Sequence, residues 1–468
     1  MNRKKQMLRY IVADLAMAVV VWIIFFVFRR YANDSRLFPD VVIWDPNYSF
    51  WTMLAIYPSY CLLIHYLSGY YLRPFKKQLL VEFITTFTTS LIITLTIFFV
   101  LVLGDKVVSY HYYYVSFSVL LTLQFGFTYF ARLMITRHMA KKIKTGQLSF
   151  NTLIIGTGIN ARILYEQLKL SQYKEGHKVV GFVEVSDETM VDKKEVLSSL
   201  HEIASVIQQH HIVELFIAVD KADEDILFSI INSLLIFPVT IKMLPRTYEF
   251  LTARVKINQF STSPYIEITA LSMSDWQLCV KRFFDIAVSA FVLVFFSPVF
   301  LFLFIRVKRD VPGAAFYRQE RIGLHGKPFQ IIKFRTMYHN AENGVPQLTT
   351  AQDQRITRFG MIMRRYRLDE LPQFYNILKG EMSIVGPRPE RKYFIQQIME
   401  IAPYYCLLYN VRPGLTSWGP IKVGYTDTRK KMVERLQYDI LYLENMSLLS
   451  DLQILFFTLS IIIRGKGL

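Results

Sequence analysis

Three arginines, Arg364, Arg365 and Arg367, run into an adjacent carboxylate pair, Asp369 and Glu370, and a Gly-Pro-Arg-Pro turn, Gly386 to Pro389, follows one short element later. Guanidinium forks match phosphate oxygens two at a time. A carboxylate among them is expected to stay ionised, because nearby positive charge favours its charged form. Beside bound phosphates such a group can act as nucleophile or as Mg²⁺ ligand. An arbitrary string of this kind more often means a surface helix laced with ion pairs, so the surrounding chain has to decide. Upstream, Tyr317 to Met337 reads YRQERIGLHGKPFQIIKFRTM and adds Arg318, Gln319, Arg321, Lys333 and Arg335 as second-rank phosphate contacts. Structural pairing is an equal alternative for each. His325, His339 and His210-His211 read as surface residues with no metal-ligand spacing. Cys61, Cys279 and Cys406 lie too far apart for a disulfide framework or a metal site.

In order, the blocks QERIG, KFRTM, RLDELPQ, IVGPRPE and VRPGLTSWGP resemble the signature blocks of the bacterial sugar transferases, the polyprenyl-phosphate hexose-1-phosphate transferases. The resemblance covers about Val280 to Leu468, and with the N-terminal half it points to the large members that start capsule, O-antigen or exopolysaccharide repeats. It implies a UDP-hexose donor and an undecaprenyl phosphate acceptor. Asp369 would attack the sugar-bearing phosphorus, expel UMP and form an aspartyl phosphosugar, which the lipid phosphate then attacks. Glu370 would hold Mg²⁺, while Arg364, five residues before Asp369, and Arg388 would contact phosphate. Gly414 and Trp418 read as a turn and a packed aromatic rather than reacting groups. The resemblance also implies a homodimer; it leans toward glucose or galactose without choosing between them.

A chain of 468 residues has room for two or three domains. Its hydrophobic fraction of 52%, concentrated in long runs, and its net charge of +17 suit a protein facing anionic lipid and phosphorylated substrates. No zinc-finger spacing, aromatic RNA-binding block or basic repeat supports a nucleic-acid partner.

The elements that must position the cluster are legible in outline as a mixed membrane protein. Four apolar runs, about Tyr10 to Phe28, Ser49 to Leu67, Phe83 to Leu103 and Tyr113 to Met134, approach the roughly 20 residues a bilayer crossing needs. They predict a four-helix transmembrane bundle over 1–140. Basic flanks at Arg3, Lys4, Lys5 and Arg9, at Arg73, Lys76 and Lys77, and at Arg132, Arg137, Lys141, Lys142 and Lys144 place both ends of it in the cytoplasm. Arg29, Arg30 and Arg36 count against this, and the third-to-fourth loop holds only Lys106. The expected location is therefore the bacterial inner membrane, multi-pass. Asp14 and His65 within the runs are read as facing neighbouring helices.

Residues 150–262 switch to strand, glycine turn, helix. Gly156, Gly158 and Ala161 form a GxGxxA, and VVGFVEV, IVELFIAV and PVTIKML supply further strands of a Rossmann-like α/β domain. A lone GxGxxA is a weak nucleotide signal. Glu184 is the candidate ribose-binding acid, and a structural or regulatory role is the favoured reading. Tyr165 and Lys169 mimic a dehydrogenase pair but lie on the helix after the turn, where such a pair does not belong. Residues 263–279 read as a linker, and 280–468 as a mainly α, monotopic catalytic domain. Within 281–309 the apolar core, Ile286 to Ile305, is long enough to span, yet Lys281 and Arg282 lie before it and Arg306, Lys308 and Arg309 after it. Ser297-Pro298 breaks it centrally, which predicts a re-entrant helix entering and leaving by the cytoplasmic face. The stretch after Met446 predicts an interfacial helix, or one packed on the catalytic domain. Two other functions compete: a membrane-bound nucleotide-sugar dehydratase or epimerase working through the Gly156 turn, and a non-enzymatic scaffold. The first lacks a suitably placed Tyr-xxx-Lys and leaves the C-terminal blocks unexplained; UMP release from a UDP-sugar, dependent on polyprenyl phosphate and Mg²⁺, discriminates all three.

Overall fold

The computed structural model describes residues 3–31, 48–75, 77–104, 110–185, 190–220, 224–244, 265–268, 271–310, 313–338, 353–424 and 428–465. Arg36, Lys76, Lys106 and His339, read above as loop or surface residues, lie outside them. The chain forms two compact units, Met1–Leu148 with Ser274–Val280, and Ser149–Met273 with Lys281–Leu468.

The first unit is built on α1 (Arg3–Arg29), α2 (Tyr48–Leu67), α3 (Leu79–Gly104) and α4 (Tyr110–Lys144). All four are long and apolar enough to cross a membrane, as the runs predict. Val21, Phe25, Tyr57, Ile93 and Leu120 pack its centre, while Leu80, Phe99 and Phe130 stay exposed, as suits helices whose outer solvent is hydrocarbon. One polar knot ties three helices. Arg132 of α4 donates to both carboxylate oxygens of Asp14 in α1, at 3.0 and 2.7 Å, and to Thr86 of α3 at 3.0 Å. Tyr71 donates to Asp14 at 2.7 Å. Arg132 is therefore not the flanking charge its position suggests: its side chain is wholly buried, because α4 continues to Lys144.

The second unit opens with β1 (Phe150–Ile155), α5 (Ile159–Glu175), β2 (His177–Glu184), β3 (Val196–Ser199), α6 (Ile203–Gln209), β4 (Glu214–Ile217), α7 (Glu224–Leu235), β5 (Thr240–Met243) and β6 (Ile266–Glu267). The sheet order is β3-β2-β1-β4-β5-β6. The first five strands are parallel and β6 runs antiparallel to β5, so the Rossmann-like expectation holds. β6 lies in the stretch read as a linker. One side of the sheet packs under α6 and α7 through Leu153, Ile155, Ile217, Ile230 and Leu234, and this cluster also takes in Cys406 from far along the chain.

Next come α8 (Asp275–Phe295) and α9 (Ser297–Asp310), apolar helices bent by 63° at their junction. Pro298 sits in the first turn of α9, where its missing N–H costs no hydrogen bond. Phe291, Val294, Phe295, Leu301 and Phe302 around the bend are exposed. A β-hairpin of β7 (Phe316–Ile322) and β8 (Pro328–Phe334) follows, paired from Phe316↔Phe334 to Ile322↔Pro328. The rest is mainly helical: α10 (Arg358–Arg365), a 3₁₀ turn Leu368–Glu370, α11 (Gln373–Lys379), β9 (Ser383–Val385), α12 (Lys392–Met399), a 3₁₀ segment Pro403–Asn410, β10 (Gly414–Thr416), α13 (Trp418–Val423), α14 (Arg429–Glu444) and α15 (Leu448–Ile463). α15 buries Asp451 and Ile454 but exposes Leu449, Leu452, Phe456 and Ile463. Its inner face is pinned where Lys281 (2.5 Å) and Tyr442 (2.6 Å) donate to Asp451.

Candidate active site

The hairpin presents the first cation. Phe334 is buried among Leu303, Val307 and Met363, and because side chains alternate along a strand, Lys333 points away from that core. Its Nζ donates to Glu370 Oε1 at 2.7 Å. Asn376 of α11 fixes the spacing: it donates to Gln330 O at 2.8 Å and accepts from Ile332 N–H at 3.2 Å.

The carboxylates sit on a forced turn. Thr357 caps α10 by accepting from Gly360 N–H at 2.9 Å. A side chain at Gly360 would begin 2.3 Å from the Thr336 carbonyl oxygen, so only glycine lets this helix settle against the strand exit. Arg364 donates to Thr336 Oγ1 at 2.9 Å. The chain then turns through Arg367 at φ +52°, a left-handed conformation that costs a non-glycine residue of order 1 kcal/mol and is commonest at functional sites. This reversal aims Asp369 and Glu370, each 7% exposed, into the same interior.

A pair of facing glycines positions the remaining cation. β9 and β10 run parallel with Gly414↔Ser383 and Thr416↔Val385 in register. A Cβ on Gly414 would lie 2.1 Å from Gly386 N, and one on Gly386 would lie 2.6 Å from Arg412 O. That approach lets Gly414 N–H donate to Pro387 O at 2.8 Å and Gly386 N–H to Thr416 O at 3.0 Å. The Pro-Arg-Pro turn is thereby fixed, and Arg388 Nη2 reaches Glu370 Oε1 at 3.2 Å. Glu390, at the end of the same turn, is gripped by Arg321 at 3.1 Å and by Arg435 of α14.

Charge is divided unevenly between the two adjacent acids. Lys333, Arg388 and, at 3.5 Å, Arg367 converge on Glu370. Burial pushes the Glu370 carboxyl up, but Lys333, Arg388 and Arg367 together hold it well below the usual range. Asp369 goes the other way. Burial and the neighbouring Glu370 charge raise it, against the pull of Lys333 and Arg364. The expectation that the cluster keeps its carboxylate ionised thus fits Glu370 and fails in direction for Asp369, because proximity in sequence does not say which acid the cations face. Burial also lowers the Lys333 ammonium, partly opposed by Glu370.

The structure brings Asp369, Glu370, Lys333 and Arg388 together, with Arg364 hydrogen-bonded to Thr336 alongside. Arg321 goes instead to Glu390 and Gln319. Arg335 is half-buried, and Arg318 is exposed on β7. Trp418 packs on Phe457 of α15, with ring centroids 5.6 Å apart. The sequence names Arg367 in the arginine cluster but not its left-handed turn or its pairing with Glu370, and it gives no sign of the Glu390–Arg435 pair, 45 residues apart.

Several buried polar atoms here lack hydrogen-bond partners: Nε of Arg321 and Arg367, Nη1 of Arg335, Nε2 of Gln373 and Oε2 of Glu370. Buried polar groups are nearly always satisfied, and donors left without a hydrogen bond suit an anionic ligand; Glu370 Oε2 has no hydrogen bond but faces Arg367 at 3.5 Å. Among the described residues no three His, Cys, Asp or Glu side chains group as a metal cage. Mg²⁺, however, is commonly held by one or two carboxylates plus substrate phosphates; Glu370 would be the carboxylate of such a set, with Arg367, 3.5 Å from its Oε2, giving way to the ion.

Comparison with known proteins follows the same ground. Residues 276–465 match the bacterial sugar transferase family, and residues 66–245 match a CoA-binding domain family. The chain is 36% identical over 219 residues, 47% of its length and 51% of the relative's, to the UDP-N-acetylgalactosamine-undecaprenyl-phosphate N-acetylgalactosaminephosphotransferase of Aeromonas hydrophila. It is 27% identical over 384 residues, 71% of its length and 72% of the relative's, to the undecaprenyl-phosphate galactose phosphotransferase of Salmonella typhimurium. It spans between 51% and 66% of the length of five such curated relatives. An uncharacterized sugar transferase of Haemophilus influenzae matches at 31% identity over 372 residues, 71% of this chain and 74% of that protein. The match therefore extends well beyond the arginine–carboxylate cluster, and the chain belongs to the bacterial sugar transferase family.

Proposed function

We propose that this protein transfers a hexose 1-phosphate from a UDP-hexose to undecaprenyl phosphate at the cytoplasmic face of the membrane, releasing UMP. The observation that carries this reading is the unequal treatment of the two acids: three cations converge on Glu370 while Asp369 beside it makes none of those ion pairs. An acid so left can bond to phosphorus. The printed activities of the relatives support the same substrate classes.

In the first step a deprotonated Asp369 oxygen attacks the sugar-bearing phosphorus of the donor. The bond from that phosphorus to the bridging oxygen breaks, and UMP leaves with its electrons. In the second step an oxygen of undecaprenyl phosphate attacks the same phosphorus and Asp369 departs as carboxylate. Arg364 and Arg388 neutralise the non-bridging oxygens through both steps. Mg²⁺ held by Glu370 and the substrate's phosphate oxygens would supply further charge neutralisation. The bent pair α8–α9 reads as re-entrant, which keeps the cluster on the side from which nucleotide sugars arrive, and α15 reads as an interfacial helix.

The test is to trap the intermediate. Enzyme given radiolabelled UDP-hexose without lipid acceptor should keep label after a quench, on the peptide that contains Asp369. Asp369→Asn should carry none and lose roughly 10³-fold or more in turnover. Label lost in Glu370→Gln but kept in Asp369→Asn would reverse the two roles. Wild-type enzyme that never traps label and shows sequential kinetics would replace the covalent route by direct transfer.

A further inference from the structure

The turn between β1 and α5 has the form that in dinucleotide-binding proteins receives a phosphate: two glycines lead into a helix whose first N–H groups and dipole favour negative charge. In this chain the position already has an occupant. Asp220, three residues beyond β4, places Oδ1 at 2.8 Å from the backbone N–H of Asn160 in the first turn of α5. A Cβ on Gly158 would lie 1.7 Å from Asp220 Oδ2. The space over the second glycine is thus taken by the chain's own carboxylate, which makes the close approach a pyrophosphate would otherwise make. The turn is closed from another direction too, where Met190 N–H donates to Thr157 O at 2.7 Å. A phosphate brought to these N–H groups would meet a like charge at contact distance, where repulsion is strongest. CoA carries a phosphorylated nucleotide, so the site does not fit the group named by the family that matches residues 66–245.

We propose that Asp220 is the permanent internal anion of this turn, and that the sheet module takes no CoA, dinucleotide or other phosphate-bearing cofactor there. The glycines preserve the geometry of a cap rather than of a binding site. This does not depend on the reaction proposed for Asp369.

Because the arginine-rich cluster would itself attract phosphate, the readout must be local. Hydrogen exchange of the peptides covering Gly156–Leu164 in the full-length, detergent-solubilised protein meets that need. In wild type those amides should exchange at unchanged rates with CoA, NAD⁺, ADP or inorganic phosphate added. In Asp220→Ala, inorganic phosphate at about ten times its Kd should slow their exchange about tenfold. Asp220→Ser, which keeps a small capping oxygen, serves if the alanine variant does not fold. Protection of the wild-type turn by any of the four compounds overturns the proposal. So does a folded variant whose turn gains no phosphate protection, since the carboxylate would then not be what fills the site.

Discussion

Two adjacent acids with opposite displacements are a device that one sequence position cannot provide alone. The three cations on Glu370 keep it charged, and that charge, with burial, lifts Asp369; environments that push paired carboxyls apart are a common basis for assigning different tasks. Turnover that needs ionised Asp369 should accordingly fall on acidification at a pH above the ordinary carboxylate range. A third acid, Asp439 on α14, is buried beside Arg435 and Ser417, and burial pushes its carboxyl from 3.8 up to about 6. A carboxyl raised by folding favours the protonated form in the native state. Its ionisation therefore destabilises the fold above about pH 6, by at most about 3 kcal/mol, and that cost disappears as pH falls toward the unfolded value. Asp439→Asn should raise the melting temperature at pH 8 and lose most of that advantage at pH 4. A variant equally destabilised at both would mean the carboxylate is needed as such. None of this was legible in the sequence. Asp439 lies in a plain amphipathic stretch, and its burial depends on α14 packing against the segment around Ser417.

At the scale of elements, the active-site cluster is assembled by contacts between short pieces rather than by any long one. The sequence displays the pieces because each carries its own punctuation: RLDELPQ, IVGPRPE and RPGLTSWGP keep their glycines and prolines for turns visible without a structure. What it does not display is that two of those blocks touch. Gly414→Ala should separate β9 from β10, since the new methyl group would lie 2.1 Å from a backbone nitrogen. The expected result is folded protein with turnover reduced by roughly 10²-fold or more, as about 2.7 kcal/mol of transition-state stabilisation is lost with Arg388 displaced. Near wild-type turnover would show that Arg388 keeps its place without the paired strands. The four membrane helices were the easiest elements to read, because twenty apolar residues admit few other meanings. The ion pair of Asp14 with Arg132 was not, since a charge near a helix end looks solvated until the helix proves longer.

For the molecule as a whole, the proposed placement of the site at the membrane rests on the 63° bend between α8 and α9. Cys61, Cys279 and Cys406 are all buried and free, so single cysteines introduced near Lys281 and near Lys308 can be read against a low background. Both should resist an impermeant thiol reagent applied outside intact cells, and labelling of one alone would make the pair a fifth span. The Rossmann-like sheet and the sugar-transferase region have separate family matches, and their sequences invite separation at about residue 275. Physically they are one body. Cys406 completes the core under α6 and α7, with Met399, Leu407 and Tyr409 packed against it, Phe228 of α7 meets Tyr404 at 6.5 Å between ring centroids, and a side chain on Gly326 would touch Ile236 at 3.7 Å. Expressing the transferase half alone would therefore leave an apolar footprint uncovered, and exposed patches of that kind drive aggregation. A truncated protein that fails in solution would report on the loss of this cover, and its inactivity would say nothing about whether the sheet takes part in the chemistry.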